Sequence, residues 1–288
     1  MNSPRVFVAG PATWNSIVVL DRLPDPVPHM QFAEETWETI GGTSAGKALS
    51  LAAAGVDAVL YALVGDDEAG HWIQDALAAA GVPVLWGEST QTERHLNLMT
   101  RGGERVSLYL ASPSEQSGGV PEDVRAAIKG SEVVVLDLAA EPRRLLPVAA
   151  ELGRRVWVDV HDYDGANEFH RPFLDAADAV FCNADKLSDP LAFLRSRVKA
   201  GTSFAVCTLG AEGAVAVDAA GEIFRVPAVP VDVVDTNGAG DGFFAGVLAA
   251  TLDGALLPHA LAAGAASASA VLRSRHLHPL LDPVLRQA

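Results

Sequence analysis

Val231-Asp-Val-Val-Asp-Thr-Asn-Gly-Ala-Gly-Asp-Gly-Phe-Phe-Ala-Gly-Val-Leu248 changes its period midway. The β-branched run 231–234 gives way to Asp235-Thr236-Asn237, then to the small residues Gly238, Ala239 and Gly240, then to Asp241. Beyond them Phe244, Val247, Leu248 and Thr251 recur at helical spacing. The pattern predicts a strand-to-helix junction. Backbone N–H groups at a helix start lack intrahelical partners and lie at the positive end of the dipole. With no bulky side chain at 238–240, an anion such as a transferring phosphoryl group can lie against those amides. Asp241, in the first turn, is placed to take a proton from an attacking hydroxyl. A carboxylate beside an anion hole suits phosphoryl transfer, where positioning and charge stabilisation matter most. The plainer alternative is that Asp235, Thr236 and Asp241 only cap a helix.

The chain of 288 residues is long enough for a full core, in one α/β domain or two. Lys and Arg number 21 against 36 Asp and Glu, a formal charge of −15. That balance disfavours nucleic acid or an anionic membrane as partner. Cys182 and Cys207 each close an apolar run without CxxC spacing, so buried thiols in a reducing compartment are expected. Met1–Arg5 pass straight into a strand with no signal-peptide core, which makes a cytoplasmic protein the expectation. The stretch 254–272 carries no Asp, Glu, Lys or Arg. Pro258, His259 and its many small residues read as a packed interior helix rather than a membrane span.

Elsewhere short apolar strands alternate with helical stretches. Strands are expected at 5–9, 133–136, 156–160, 179–182 and 204–208, with helices at 44–54, 70–80, 121–128, 142–152, 168–176, 189–199 and 260–272. Hairpins are expected around Arg101-Gly102-Gly103 and around 218–221, and a flap strand within 31–40. Such alternation implies a parallel sheet covered on both faces, with ligands beyond the strands' C-terminal ends. Asp137, Asp159, Asn183 and Thr208 all fall at such ends. Gly41-Gly-Thr-Ser-Ala-Gly-Lys47 has most of a P-loop, but Ala48 stands where Ser or Thr must hold Mg²⁺, and the preceding strand is amphipathic. A glycine turn entering a helix is the better reading. Trp14 is open to two readings, stacking on a ring or packing in the core.

The stretch 235–241 resembles the second signature of the ribokinase-like (PfkB-type) carbohydrate kinases, Asp-Thr-x-Gly-Ala-Gly-Asp, and fits it at every position. Val64-Gly-Asp-Asp-Glu-Ala-Gly70 and Thr208-Leu-Gly-Ala-Glu-Gly213 are similar to two further family turns. The resemblance implies a three-layer α/β/α sandwich of the ribokinase-like type, with a mostly parallel central sheet and a small β flap. It implies one kinase domain over 1–288, with lid strands from about 12–40 and 92–110. It also implies an ATP- and Mg²⁺-dependent kinase acting on a hydroxyl of a small sugar or sugar-like molecule. Asp241 is then the base and Gly238, Ala239 and Gly240 the anion hole. Asn15, Gly41, Gly42 and Lys47 fall on the substrate side, and Asn183, Thr208, Gly210, Gly213 and Ala265 on the nucleotide side. A homodimer through the lid strands is a further expectation.

The sequence departs from the family in four places. Gly46 stands where a sugar-contacting Asn belongs, and Asn15 where many relatives carry an Asp. Lys186 replaces the Glu of the N-x-x-E that handles Mg²⁺, leaving Asp159 and Asp185 as weak candidates for the metal. The Gly-Ala tail of the monovalent-cation loop is replaced by Arg273-Ser-Arg-His-Leu-His278, read as an exposed basic tail, so potassium activation is not assumed. These departures leave two alternatives: a nucleoside kinase of the same fold, or a catalytically weak sugar or nucleotide sensor.

Overall fold

Alternate residues of a strand point to opposite faces, and here both faces are apolar. Val6, Val8, Leu60, Val135, Phe181 and Val206 belong to one core cluster; Phe7, Ala9, Val134, Leu136, Val180 and Ala205 belong to a second. The sheet therefore needs a helical layer on each side.

A computed structural model describes residues 4–285. The N-terminal expectation rests partly on residues 1–3, which lie outside that range. The chain runs through β1 (Val6–Ala9), β2 (Thr13–Leu20), β3 (Glu35–Gly41), α1 (Thr43–Ala53), β4 (Ala58–Gly65), α2 (Glu68–Ala79) and β5 (Val84–Ser89). Then come β6 (Arg94–Thr100), β7 (Arg105–Ala111), α3 (Glu122–Gly130), β8 (Val133–Leu136), α4 (Ala140–Glu151), β9 (Arg155–Asp159) and α5 (Arg171–Ala176). β10 (Ala179–Asn183), α6 (Pro190–Lys199), β11 (Phe204–Thr208), β12 (Ala214–Asp218), β13 (Ile223–Val226), α7 (Ala239–Leu252) and α8 (Leu257–Val271) follow.

Nine strands form one sheet in the order β13-β12-β11-β10-β9-β8-β1-β4-β5. Neighbours are parallel from β5 to β11; β12 and β13 add an antiparallel edge. Helices α1, α2, α7 and α8 cover one face and α3 to α6 the other. Strand order reverses between β1 and β8, and α/β sheets of this kind bind ligands at such a switch point. A second sheet, β3-β2-β6-β7, leaves its edge strand β7 open to solvent, with Val106, Leu108, Tyr109 and Leu110 exposed.

Two expectations are corrected and one strand was missed. No strand forms at 231–234: β13 ends at Val226, and Val233 and Val234 are exposed. Pro227 and Pro230 lack the N–H groups that would extend the ladder. β5 was not foreseen, because Val84–Ser89 has a Gly and no clear alternation. The tail at 273–278 is mostly not exposed: Ser274, His276 and His278 are buried, as are Leu277 and Leu281, while Arg273 stays exposed and Arg275 is half-buried. Burial pushes both imidazoles below the usual histidine value, His278 to about 4. Both cysteines are buried free thiols. Among the described residues no helix is long and apolar enough to cross a membrane.

Helices α7 and α8 touch through glycine. A Cβ on Gly246 would lie 2.7 Å from the Ala263 carbonyl oxygen and 2.8 Å from Ser267 Cβ. Gly246→Val should therefore force the helices apart and lower stability by about 1–3 kcal/mol, read from urea unfolding midpoints.

Candidate active site

Asp235 builds the loop before α7. Its carboxylate accepts the Asn237 backbone N–H at 2.9 Å and the Asn237 amide Nδ2 at 2.9 and 3.1 Å. The next step is the left-handed Gly238, φ 79°, where a Cβ would come 2.7 Å from the Leu277 carbonyl oxygen. Glycine alone fits both demands. The Ala239 N–H makes a long 3.4 Å bond to Thr236 O. Among the described residues, the amides of Gly238, Gly240 and Asp241 have no protein acceptor. Space is also open above Gly240, where a Cβ would meet nothing within 4 Å.

Asp241 does not cap its helix. Its carboxylate turns toward α1, where Lys47 Nζ donates to Oδ1 at 2.8 Å. Lys47 is fully buried, and its ammonium also faces Asp137 Oδ1 at 3.0 Å and Asp159 Oδ2 at 3.5 Å. Burial alone would push the lysine toward neutrality; Asp137, Asp241 and Asp159 outweigh it, and its pKa stands above the usual value. Burial raises Asp241 to about 6, against the opposing pull of Lys47 and His161. Asp159 is also penalised by burial, yet His161 and Lys47 hold its pKa below the usual carboxylate range. His161 itself has a positive φ of 49°, with its N–H on Asp159 Oδ1 at 2.9 Å.

Gly41 ends β3 paired with Thr13 of β2, and Gly42 runs against Pro11 and Ala12. A Cβ on Gly41 would lie 2.6 Å from Asn15 Cγ, and Asn15 Oδ1 accepts from Thr13 Oγ1 at 2.7 Å. Trp14 packs against Trp72 with ring centroids 5.0 Å apart. Nearby, at the switch point, lies a cavity of about 670 Å³ walled by Gly10–Ala12, Tyr61, Glu93, Tyr109, Leu138–Arg144 and Phe169; Asn15, Gly41, Gly42, Lys47 and Asp241 do not line it. Gly10 joins it to the carboxylate cluster, since a Cβ there would lie 3.0 Å from Asp137 Cβ. The β6–β7 hairpin reaches the α7 loop through Arg105, whose Nη1 donates to Asn237 Oδ1 at 2.5 Å.

Farther along the sheet, Asn183 and Thr208 end neighbouring strands in register. Asn183 Oδ1 accepts the Asp185 N–H, and the turn after β11 passes Gly210 and Gly213. Ala265 is buried on α8 in the core cluster. Lys186 is exposed and pairs with Asp162 at 2.6 Å. Sequence reasoning placed Asp137 and Asp159 at strand ends but missed that both face Lys47. The available signal was a lone lysine among Ala45, Ala48, Leu49 and Leu51 on one helix. The cavity walls at Glu93, Glu141, Arg143 and Arg144 had no such signal.

Two layers of helices on a mostly parallel sheet, with unpaired amides at one helix start and a buried acid beside them, make up a ribokinase-like fold. Residues 15–281 match the pfkB family carbohydrate kinase profile, and the chain belongs to that family of kinases acting on an alcohol group. It is 30% identical over 266 residues to the acarbose 7(IV)-phosphotransferase of Actinoplanes sp., covering 90% of this chain and 89% of that one. A solved microbiome-derived acarbose kinase is 30% identical, with TM-score 0.83 over 99% of this chain and 100% of the other. Arabidopsis thaliana ribokinase, solved with ribose and ATP, shares the fold at 20% identity, with TM-score 0.77 over 99% and 100%.

The raised Asp241 pKa has a stability consequence. A carboxyl that binds its proton more tightly folded than unfolded contributes stability that is fully present below about 3.8 and lost as pH rises through about 6. Asp241→Asn should therefore raise the melting temperature above pH 6, with a gain that fades toward pH 4, measured by thermal melts across that range.

Proposed function

We propose that this protein transfers the γ-phosphoryl group of ATP to a hydroxyl of a sugar or sugar-like acceptor. The acceptor oxygen attacks the γ-phosphorus, the bond to the β,γ-bridging oxygen breaks, and Asp241 takes the hydroxyl proton. The free amides of Gly238, Gly240 and Asp241 receive the charge of the transferring group, with Ala239 between them spent on Thr236. One observation carries the reading: a buried carboxylate sits one residue beyond amides that have no protein acceptor. Asn15, Gly41 and Gly42 belong to the acceptor side of this reading, Lys47 is withdrawn from it because it is fully buried on three carboxylates, and Asn183, Thr208, Gly210, Gly213 and Ala265 belong to the nucleotide side.

The cavity lies within the range of about 300–1,000 Å³ that holds drug-sized ligands. Together with the acarbose kinases among the relatives, its size supports an acceptor larger than a single sugar ring. Mg²⁺ is expected with the ATP phosphates. Among the described residues, however, no group of three or more His, Cys, Asp or Glu side chains is disposed to hold a metal. Asp159 is committed to Lys47 and His161, and Asp185 is exposed. The donors present do not build a protein-held metal site, and no step is assigned to one.

An assay of ATP consumption across acarbose, shorter glycosides, monosaccharides and nucleosides tests the function. Asp241→Asn should cut turnover of the accepted substrate by about 10²–10⁴-fold while ATP affinity holds; undiminished turnover removes Asp241 from its role. A second reading, a weakly catalytic sensor, is favoured by Lys47 already occupying one Asp241 oxygen. It would show as an acceptor that raises the melting temperature without being phosphorylated.

A further inference from the structure

Gly46, which departs from the family pattern on α1, and its neighbour Lys47 both touch Asp241. A Cβ on Gly46 would lie 2.6 Å from Asp241 Oδ2 and 3.0 Å from its Cβ and Cγ, so any side chain there would push the carboxylate away. Gly46 makes the room, and its neighbour Lys47 fills the other side by donating to Oδ1 at 2.8 Å. The ammonium has three hydrogens, and three carboxylates from three separate elements surround it. Asp137 lies just beyond β8, Asp159 ends β9, and Asp241 stands in the first turn of α7. Ser44 Oγ donates to Asp137 Oδ2 at 2.6 Å and orients it, and the Phe244 ring lies 5.1 Å from Nζ.

We propose that Lys47 is a positioning residue for Asp241, holding one carboxylate oxygen while sharing its charge with Asp137 and Asp159, so that it fixes where the acid points and how readily it takes a proton. The inference rests on the reading of Asp241 as the base. A lysine paired with Asp241 alone would make that acid a poor base, because a cation within ~4–6 Å favours the ionised form by roughly 1–3 pH units. Asp137 and Asp159 act the other way, as like charges beside Asp241 and as competing partners for the ammonium. When Asp241 accepts a proton, Lys47 still has two anions, so no buried cation is left unpaired. The groups acting on Asp241 are thus Lys47 from α1, Asp137 beyond β8 and His161 after β9, with Asp159 on the shared ammonium.

Carbon-13 NMR of the full-length protein labelled at aspartate carboxyl carbons tests this, with the Asp241 signal assigned by its loss in Asp241→Asn. Lys47→Met should move the Asp241 titration midpoint up by about 1–3 pH units, Lys47→Arg should restore it, and Asp137→Asn should move it down. A lysine that served only packing would lower stability without opposite shifts. Unchanged midpoints, or shifts of the same sign in Lys47→Met and Asp137→Asn, overturn the proposal. If Lys47→Met does not fold, Asp137→Asn decides alone: a downward shift upholds the proposal, and none overturns it. Turnover of Asp241→Asn judges the base and the titration judges Lys47, so either can fail without the other.

Discussion

A single buried ammonium, that of Lys47, sets where four elements of this molecule must end. Removing an ammonium and carboxylates from water costs several kcal/mol per ion unless their geometry compensates. The compensation requires the ends of β8 and β9, the start of α7 and the first turns of α1 to meet at one point. That meeting point lies on the side of the switch between β1 and β8 where the strands' C-terminal ends converge. Packing of the two helical layers supplies most of the stability. The ion cluster contributes register, since a shift of one residue in β8 or β9 would turn a carboxylate into the opposite layer.

How much of this was legible in the sequence follows from which forces are local. Strands such as Val133–Leu136 and Phe204–Thr208 could be bounded to the residue because their apolar runs are short and sharply ended. Helix α7 was legible because its glycines and its 3.6-residue period adjoin. The run Val231–Val234 misled because β-branched composition is a weak vote for strand when flanking prolines and missing partners vote against it. The candidate site was half visible: the loop 235–241 announced itself, and Asp137 and Asp159 stood at strand ends. What brought them together, a lysine on a distant helix, is a contact across 194 residues of chain from Lys47 to Asp241. No local pattern encodes such a contact.

The same logic explains why the departure at Gly46 is compatible with an intact loop at 235–241. Considered singly, Gly46 looks like the loss of a functional side chain and Lys47 like an unrelated neighbour. In the fold they act as a pair, one by absence and one by charge, on the same carboxylate. Sequence differences on one element are therefore interpretable only beside the element they pack against.

The last described stretch of chain binds two distant parts of the molecule at once. The Arg275 carbonyl accepts from Trp37 Nε1 at 3.1 Å, Arg275 stacks on that ring at 4.6 Å, and His276 Nδ1 meets Thr39 Oγ1 at 3.0 Å. Leu277 meanwhile lies against Gly238. During synthesis, which proceeds from the N-terminus, β3 is made more than 200 residues before its fastener emerges. A nascent chain can thus assemble much of its central sheet while the cleft stays unsealed, and a ribosome that stalls near the end would release a protein with its scaffold built and its machinery undone.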